Sequence, residues 1–206
     1  MIQNESNVIG PRRNTGYDIV ALAASAGGLH ALSTVLAALP ADFPAAVVVV
    51  QHLDRHHRSL MAEILNRRTA LPVKEAETEE SLRAGTVYIA PPDRHLLVNS
   101  DRTLSLSRSA LVHYVRPSAD LLFESVAVGF GERAIAVVLT GSGRDGTTGV
   151  RAIKERGGIV IAQDEPSSEH FGMPGAAIRS GAVDFILSLE EIASALITLV
   201  ITGDDL

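Results

Sequence analysis

The chain contains no cysteine. That absence excludes disulfides, thiolate catalysis and thiolate zinc sites, and it is compatible with a reducing cytoplasm. Basic residues are also in deficit, with 18 Lys and Arg against 24 Asp and Glu and a formal net charge of -6. Nucleic-acid binders carry a basic stripe, so no nucleic-acid partner is expected. The opening "MIQNESNVIGPRRNTG" lacks the apolar core of a secretory leader. From Ile19 to Val50 the chain is mostly Ala, Val and Leu, but a spanning helix of about 20 residues would have to carry Gly27-Gly28, or Pro40 and Pro44. Buried strand, helix and strand explain these residues better, so no membrane insertion is expected and a cytoplasmic location is. There is no internal repeat and no low-complexity tract.

What remains is an ordinary globular composition in 206 residues, enough for one well-buried core. Short apolar runs at 18–24, 45–50, 86–90, 134–140, 159–163 and 183–187 alternate with helix-period segments at 28–39, 58–68, 118–130, 147–157, 174–181 and 189–200. The runs are continuous rather than alternating, which means burial on both faces and hence a parallel sheet covered by helices. Ser188-Leu-Glu-Glu191 is a capping box that starts the last helix. Residues 92–109 read as a hairpin turning at Asn99–Arg102. The expected fold is α/β, a doubly wound and mostly parallel sheet with helices on both faces and an antiparallel hairpin insertion. It occupies residues 17–201, with a flexible tail at 1–16 and a short one at 202–206.

In such a sheet, sites form at the carboxyl ends of strands. Three of those ends carry unusual residues: Ser25 before Ala26-Gly27-Gly28, His52 after Gln51, and Asp145 within the glycine-rich "TGSGRDG". Together they have the chemistry of a serine hydrolase. A hydroxyl is a poor nucleophile without a base, histidine is suited to be that base, and a buried carboxylate orients the imidazole and stabilises its cation. Glycines beside the serine admit a carbonyl and leave N–H groups for an oxyanion. Each residue has another reading: Ser25 as a helix N-cap, His52 as a strand-end histidine satisfied by backbone, and "GSGRDG" as a phosphate cradle at a helix N-terminus. A metal site in "HLDRH" (His52 and His56) is disfavoured because Leu53 stands where HExxH has glutamate. A dinucleotide site is disfavoured because A-A-S-A-G-G replaces G-x-G-x-x-G. No cofactor and no metal are expected. Arg55, His56, His57 and Arg58 read as a solvated loop face, and His30 as a structural residue of the first helix.

The residues match a family in order. "ASAGG" resembles the nucleophile turn of the chemotaxis receptor protein-glutamate methylesterases, the catalytic domain of the CheB type. "VVVVQH", "VYIAPPDRHLLV", "RPSADLLFESVA", "VVLTGSGRDGTTGV", "IAQDEPSSEHFGMPGAAI" and "GAVDFILSLEEIA" are similar to its successive signatures, over about residues 17–200. The resemblance implies a catalytic triad of Ser25, His52 and Asp145 in a serine esterase. Their order differs from the Ser…Asp…His of α/β-hydrolases. It further implies hydrolysis of glutamate γ-methyl esters on the cytoplasmic helices of chemoreceptors through an acyl-enzyme, and deamidation of glutamines. Oxyanion or pocket candidates are Ala26, Gly27, Ser142, Gly143 and Met173.

Two departures touch this pocket. Ala26 replaces the family's threonine, and Ser142 replaces a methionine, so backbone N–H groups persist while side-chain contacts change. A third concerns regulation. Family members usually carry an N-terminal receiver domain, whereas 16 residues precede the first strand here, so the chain reads as an excised catalytic domain or a freestanding member. A freestanding member would act on chemoreceptors or another methylated signalling protein, with a receiver-domain protein as a partner in trans. The alternative function is a non-catalytic binding module of the same fold.

Overall fold

A computed structural model describes residues 16–52 and 59–203. The expectations for residues 1–15, for the loop with Asp54, Arg55, His56, His57 and Arg58, and for 204–206 lie outside the described residues. The elements in chain order are β1 (Ile19–Ala24), α1 (Gly28–Ala37), β2 (Ala46–Gln51), α2 (Met61–Asn66), β3 (Val73–Glu75), β4 (Val87–Ile89), β5 (His95–Val98) and β6 (Leu104–Ser107). There follow α3 (Ala119–Phe130), β7 (Ala134–Val138), α4 (Thr147–Glu155), β8 (Ile159–Gln163), α5 (Gly172–Arg179), β9 (Phe185–Leu187) and α6 (Leu189–Ile197).

Seven strands form one sheet in the order β3-β4-β2-β1-β7-β8-β9, every pair parallel. β5 and β6 form the separate antiparallel hairpin. The central strands are apolar on both faces because both faces are covered: every residue of β1, β2 and β7 is buried. Val20, Leu22 and Ala24 point into a core shared with α1, α2 and α6. Ile19, Ala21 and Ala23 point the other way, into a core built by α3, α4, α5 and the hairpin.

The expected doubly wound α/β fold is therefore present. The pattern passed over β3, because "VKE" has one buried residue, Val73, followed by charged ones at the sheet edge. The fifth helix begins at Gly172, which puts Pro174 in its first turn, where a missing N–H costs no intrahelical bond. The last helix starts at the capping box, with both reciprocal bonds of Ser188 and Glu191 formed, and ends in a π-helical turn over Thr198–Thr202. Among the described residues no helix is long and apolar enough to cross a membrane.

The chain begins at the centre of the sheet, passes from β1 to β2, goes on to the edge strand β3, comes back as β4 between β3 and β2, and later crosses to the other side of β1 as β7. β1 and β7 thus flank the topological switch point, where diverging connections leave a crevice at the carboxyl edge.

Candidate active site

Ser25 follows β1, the 140–146 loop follows β7, and His52 follows β2, so all three candidate segments emerge at that crevice. Parallel pairing sets Ala24 opposite Gln51, which makes Ser25 and His52 neighbours one step beyond the register. His52 Nε2 lies 2.8 Å from Asp145 Oδ2. The hydroxyl of Ser25 has no hydrogen-bond partner among the described residues, so its relation to His52 is one of placement at adjacent strand ends.

Two buried glutamines hold this arrangement from behind. Gln51, the last residue of β2, donates Nε2–H to the carbonyls of Ser25 (2.7 Å) and His52 (3.0 Å), tying the two strand exits together. Gln163, the last residue of β8, accepts the Thr140 N–H at 2.7 Å and fixes the exit of β7. Thr140 in turn accepts the Ser25 N–H on its carbonyl and donates its hydroxyl to the Ala26 carbonyl, each at 3.0 Å. Sequence reasoning put Gln51 at a strand end but gave it no task. An amide closing a fully apolar buried strand was the available signal, since a buried polar group calls for partners; here Nε2 finds two carbonyls, while Oε1 has no partner among the described residues.

Asp145 is almost wholly buried. Besides His52 it accepts the Ser118 hydroxyl (2.8 Å) and the N–H groups of Ala119 (2.6 Å) and Asp120 (3.2 Å), at the N-terminus of α3. Burial pushes its carboxyl up, but the bonds from His52, Ala119 and Ser118 outweigh that and hold it below the usual carboxylate range. An ionised Asp145 accepts a proton of His52 on Nε2, and Nδ1 has no hydrogen-bond partner among the described residues. The exchange between helices is reciprocal. Asp120, itself buried in α3, accepts the N–H groups of Thr148 and Gly149 at the start of α4, each at 2.8 Å, and lies 3.2 Å from His113 Nε2. Burial raises the Asp120 carboxyl, and the neighbouring Asp145 charge adds to this. Ser118 and Asp120 were not among the sequence candidates, although a serine at a helix start with an acid two positions on was visible.

These contacts bear on two of the alternatives left open by sequence. The N-cap of α1 is Gly27, in the left-handed region at φ 78°, and no side chain caps that helix, so Ser25 is not a cap. The start of α4 already accommodates the Asp120 carboxylate, which fills the anion position a phosphate would need. His30 is exposed at the rim of a cleft of about 490 Å³, which corrects its reading as a structural residue. That cleft is lined by Ser25, Gly27, Gln51, Met61, Arg68 and Glu169, among others.

The pocket candidates fall into two groups. The N–H of Ser25 goes to Thr140, and that of Met173 to the Gly141 carbonyl at 2.8 Å, so neither is available to an oxyanion. Met173 is a packing residue: a Cβ added to Gly141 would lie 2.5 Å from its sulfur and 2.8 Å from Ser25 Cβ. Only glycine lets β7, Ser25 and α5 approach so closely. Ala26, Gly27, Ser142 and Gly143 sit in the two turns that flank the crevice. Their N–H groups have no acceptor among the described residues, and Ser142 and Gly143 are exposed.

Known proteins share this architecture. The family model described as CheB methylesterase matches residues 20–196. The Myxococcus xanthus protein-glutamate methylesterase FrzG is 45% identical over 87% of this chain and 54% of its own length. A Leptospira interrogans protein, named by inference a protein-glutamate methylesterase/protein-glutamine glutaminase, is 40% identical over 89% of this chain and 95% of its own length. The crystal structure of the Thermotoga maritima CheB methylesterase catalytic domain superposes with a TM-score of 0.87 at 38% identity, covering 89% of this chain and 99% of that one. The sheet order, the crevice and these matches agree: the chain belongs to the CheB methylesterase family.

Proposed function

We propose that the chain is a protein-glutamate methylesterase in which Ser25 is the nucleophile, His52 the general base and Asp145 the group that orients it. The hydrogen bond of His52 to a buried, ionised Asp145, one strand away from a Ser25 that does not cap α1 and whose hydroxyl has no partner among the described residues, carries this reading. Ser25 Oγ attacks the ester carbonyl carbon as its proton passes to His52 Nδ1. The tetrahedral oxyanion is received by N–H groups of Ala26 or Gly27 and of Ser142 or Gly143, each such donor contributing about 10²–10³ in rate. Collapse breaks the carbon–methoxy bond, His52 protonates the departing methoxide, and methanol leaves an acyl-enzyme. Water then attacks, His52 taking its proton, and the glutamate γ-carboxylate is released with Ser25 restored. A glutamine side chain would follow the same route with ammonia leaving, and deamidation is part of the proposal. The substrates are methylated chemoreceptor helices or another methylated signalling protein, in the cytoplasm.

The test is methanol release from a methylated chemoreceptor cytoplasmic fragment, together with labelling by a fluorophosphonate. Release by the native chain, its loss in Ser25→Ala, and a label mapped to Ser25 are the expected results. Binding of the fragment without methanol release or labelling would instead identify a non-catalytic module.

A further inference from the structure

The reaction converts a neutral side chain into an anionic one in the same cleft, and the cleft wall carries a charge that bears on this. Glu169 lies across the nucleophile turn: a Cβ on Gly27 would be 2.8 Å from Glu169 Oε2 and 3.0 Å from its Cβ, so the side chain is laid flat over the backbone two residues after Ser25. Its segment is fixed there. The next residue donates its N–H to Thr140 Oγ1 at 2.8 Å and accepts the Gly141 N–H at 2.8 Å. Thr140 is the residue that also holds Ala26 and Ser25. Glu169 is therefore anchored through the same threonine as the nucleophile. The carboxylate is 65% exposed, and the ionisable side chain within 4 Å of it among the described residues is the half-exposed imidazole of His170, at 3.6 Å. A separation of that length adds little attraction between exposed groups. Among the described residues, the other charged side chain lining the cleft, Arg68, is anchored on α1 through Ser33 Oγ at 3.2 Å.

We infer that Glu169 is a specificity-determining residue that discriminates the neutral ester or amide from the carboxylate product, by placing a negative charge beside the bound γ-carbonyl. This rests on the proposed methylesterase reading and adds to it a reason for product to leave. A neutral ester meets no repulsion from Glu169, whereas the glutamate formed by hydrolysis meets a like charge, weakened by the solvent exposure of that carboxylate. The same charge opposes the developing oxyanion, so the device trades some rate for turnover without product retention.

The test uses three peptides identical except at the reactive position, which is glutamate γ-methyl ester, glutamine or glutamate. Each is titrated by NMR into the Ser25→Ala chain, where nothing is turned over. The glutamate peptide is expected to bind about fivefold more weakly than the other two, the size of an interaction between partly exposed charges. Glu169→Gln, which keeps the shape, is expected to remove most of that difference and leave ester and glutamine binding within about twofold. Raising ionic strength to about 1 M should erode it in the Ser25→Ala chain but not in the double variant. Equal binding of the three peptides, a Glu169→Gln effect common to all three, or no binding by any at millimolar concentration would overturn the inference. Methanol release and labelling of the native chain report separately on the methylesterase reading. Turnover with indiscriminate peptide binding removes only the role of Glu169, whereas absent turnover and labelling remove the reading beneath it.

Discussion

Asp145 serves two structures at once, the imidazole of His52 and the N-terminus of α3, and substitutions there separate chemistry from folding. Asp145→Asn keeps one acceptor oxygen for Ser118 and Asp120 but turns its amide N–H toward the Ala119 N–H and His52, and so cannot hold His52 in the required tautomer. Activity is expected to fall by about 10⁴-fold while the chain still folds cooperatively, as esterase assay and circular dichroism would show. Asp145→Ala also strands the Ser118 hydroxyl and two backbone donors in a buried site, at about 1–3 kcal/mol for each group left unsatisfied, and is expected to lower the melting temperature as well. Because the hydrogen bonds of Asp145 hold its carboxyl below the usual range, loss of activity on mild acidification does not come from Asp145; that should appear as an acid limb unchanged by substitutions at Ser118. The placement of Ser25, His52 and Asp145 at neighbouring strand ends was legible because hydroxyl, imidazole and carboxylate at the ends of apolar runs are chemically conspicuous. Gln51, Ser118 and Asp120 were not, because their tasks exist only between segments far apart in sequence.

At the scale of elements, signals that act within a few residues were readable and those that act across layers were not. The capping box of α6 lies within four residues, and Ser188→Ala is expected to cost about 1 kcal/mol, a melting shift of about 2–4 °C in a chain of this size. By contrast, nothing local distinguishes Gly141 from the other glycines of "TGSGRDG". Its importance comes from Ser25 on one side and Met173 on the other. Gly141→Ala is expected to destabilise by about 1–3 kcal/mol through overpacking, and to displace Ser25 enough to lose at least about 100-fold in activity, measurable by fluorophosphonate labelling rate. The edge strand β3 escaped notice for the complementary reason, since a strand with one buried residue carries almost no periodic signal.

For the whole molecule, the end of the sheet opposite the crevice carries its own electrostatic clamp. Asp18, just before β1, is gripped by Arg133 Nε and Nη2 at 2.7 and 2.6 Å and by Arg102 Nη2 at 3.2 Å. This ties the turn of the hairpin to the two central strands. The Arg133 hydrogen bonds, supported by both guanidinium charges, depress the Asp18 carboxyl below its ordinary value of 3.8 despite burial. A depressed carboxyl contributes stability above its unfolded pKa and loses it as pH falls through the folded one. Asp18→Asn is therefore expected to be less stable than the native chain at neutral pH, the difference vanishing as pH falls below the ordinary carboxylate range, by denaturant melts across pH. The sequence by itself determined the class of fold, since continuous apolar runs between helix-period segments can be buried only in a covered parallel sheet. It also determined which side chains carry reactive groups. Only the tertiary structure decided that the strands leave β1 in opposite directions, and so that one crevice receives Ser25, His52 and Asp145. It alone laid Glu169 over the nucleophile turn, because strand order and close approach depend on packing between segments that no local pattern encodes.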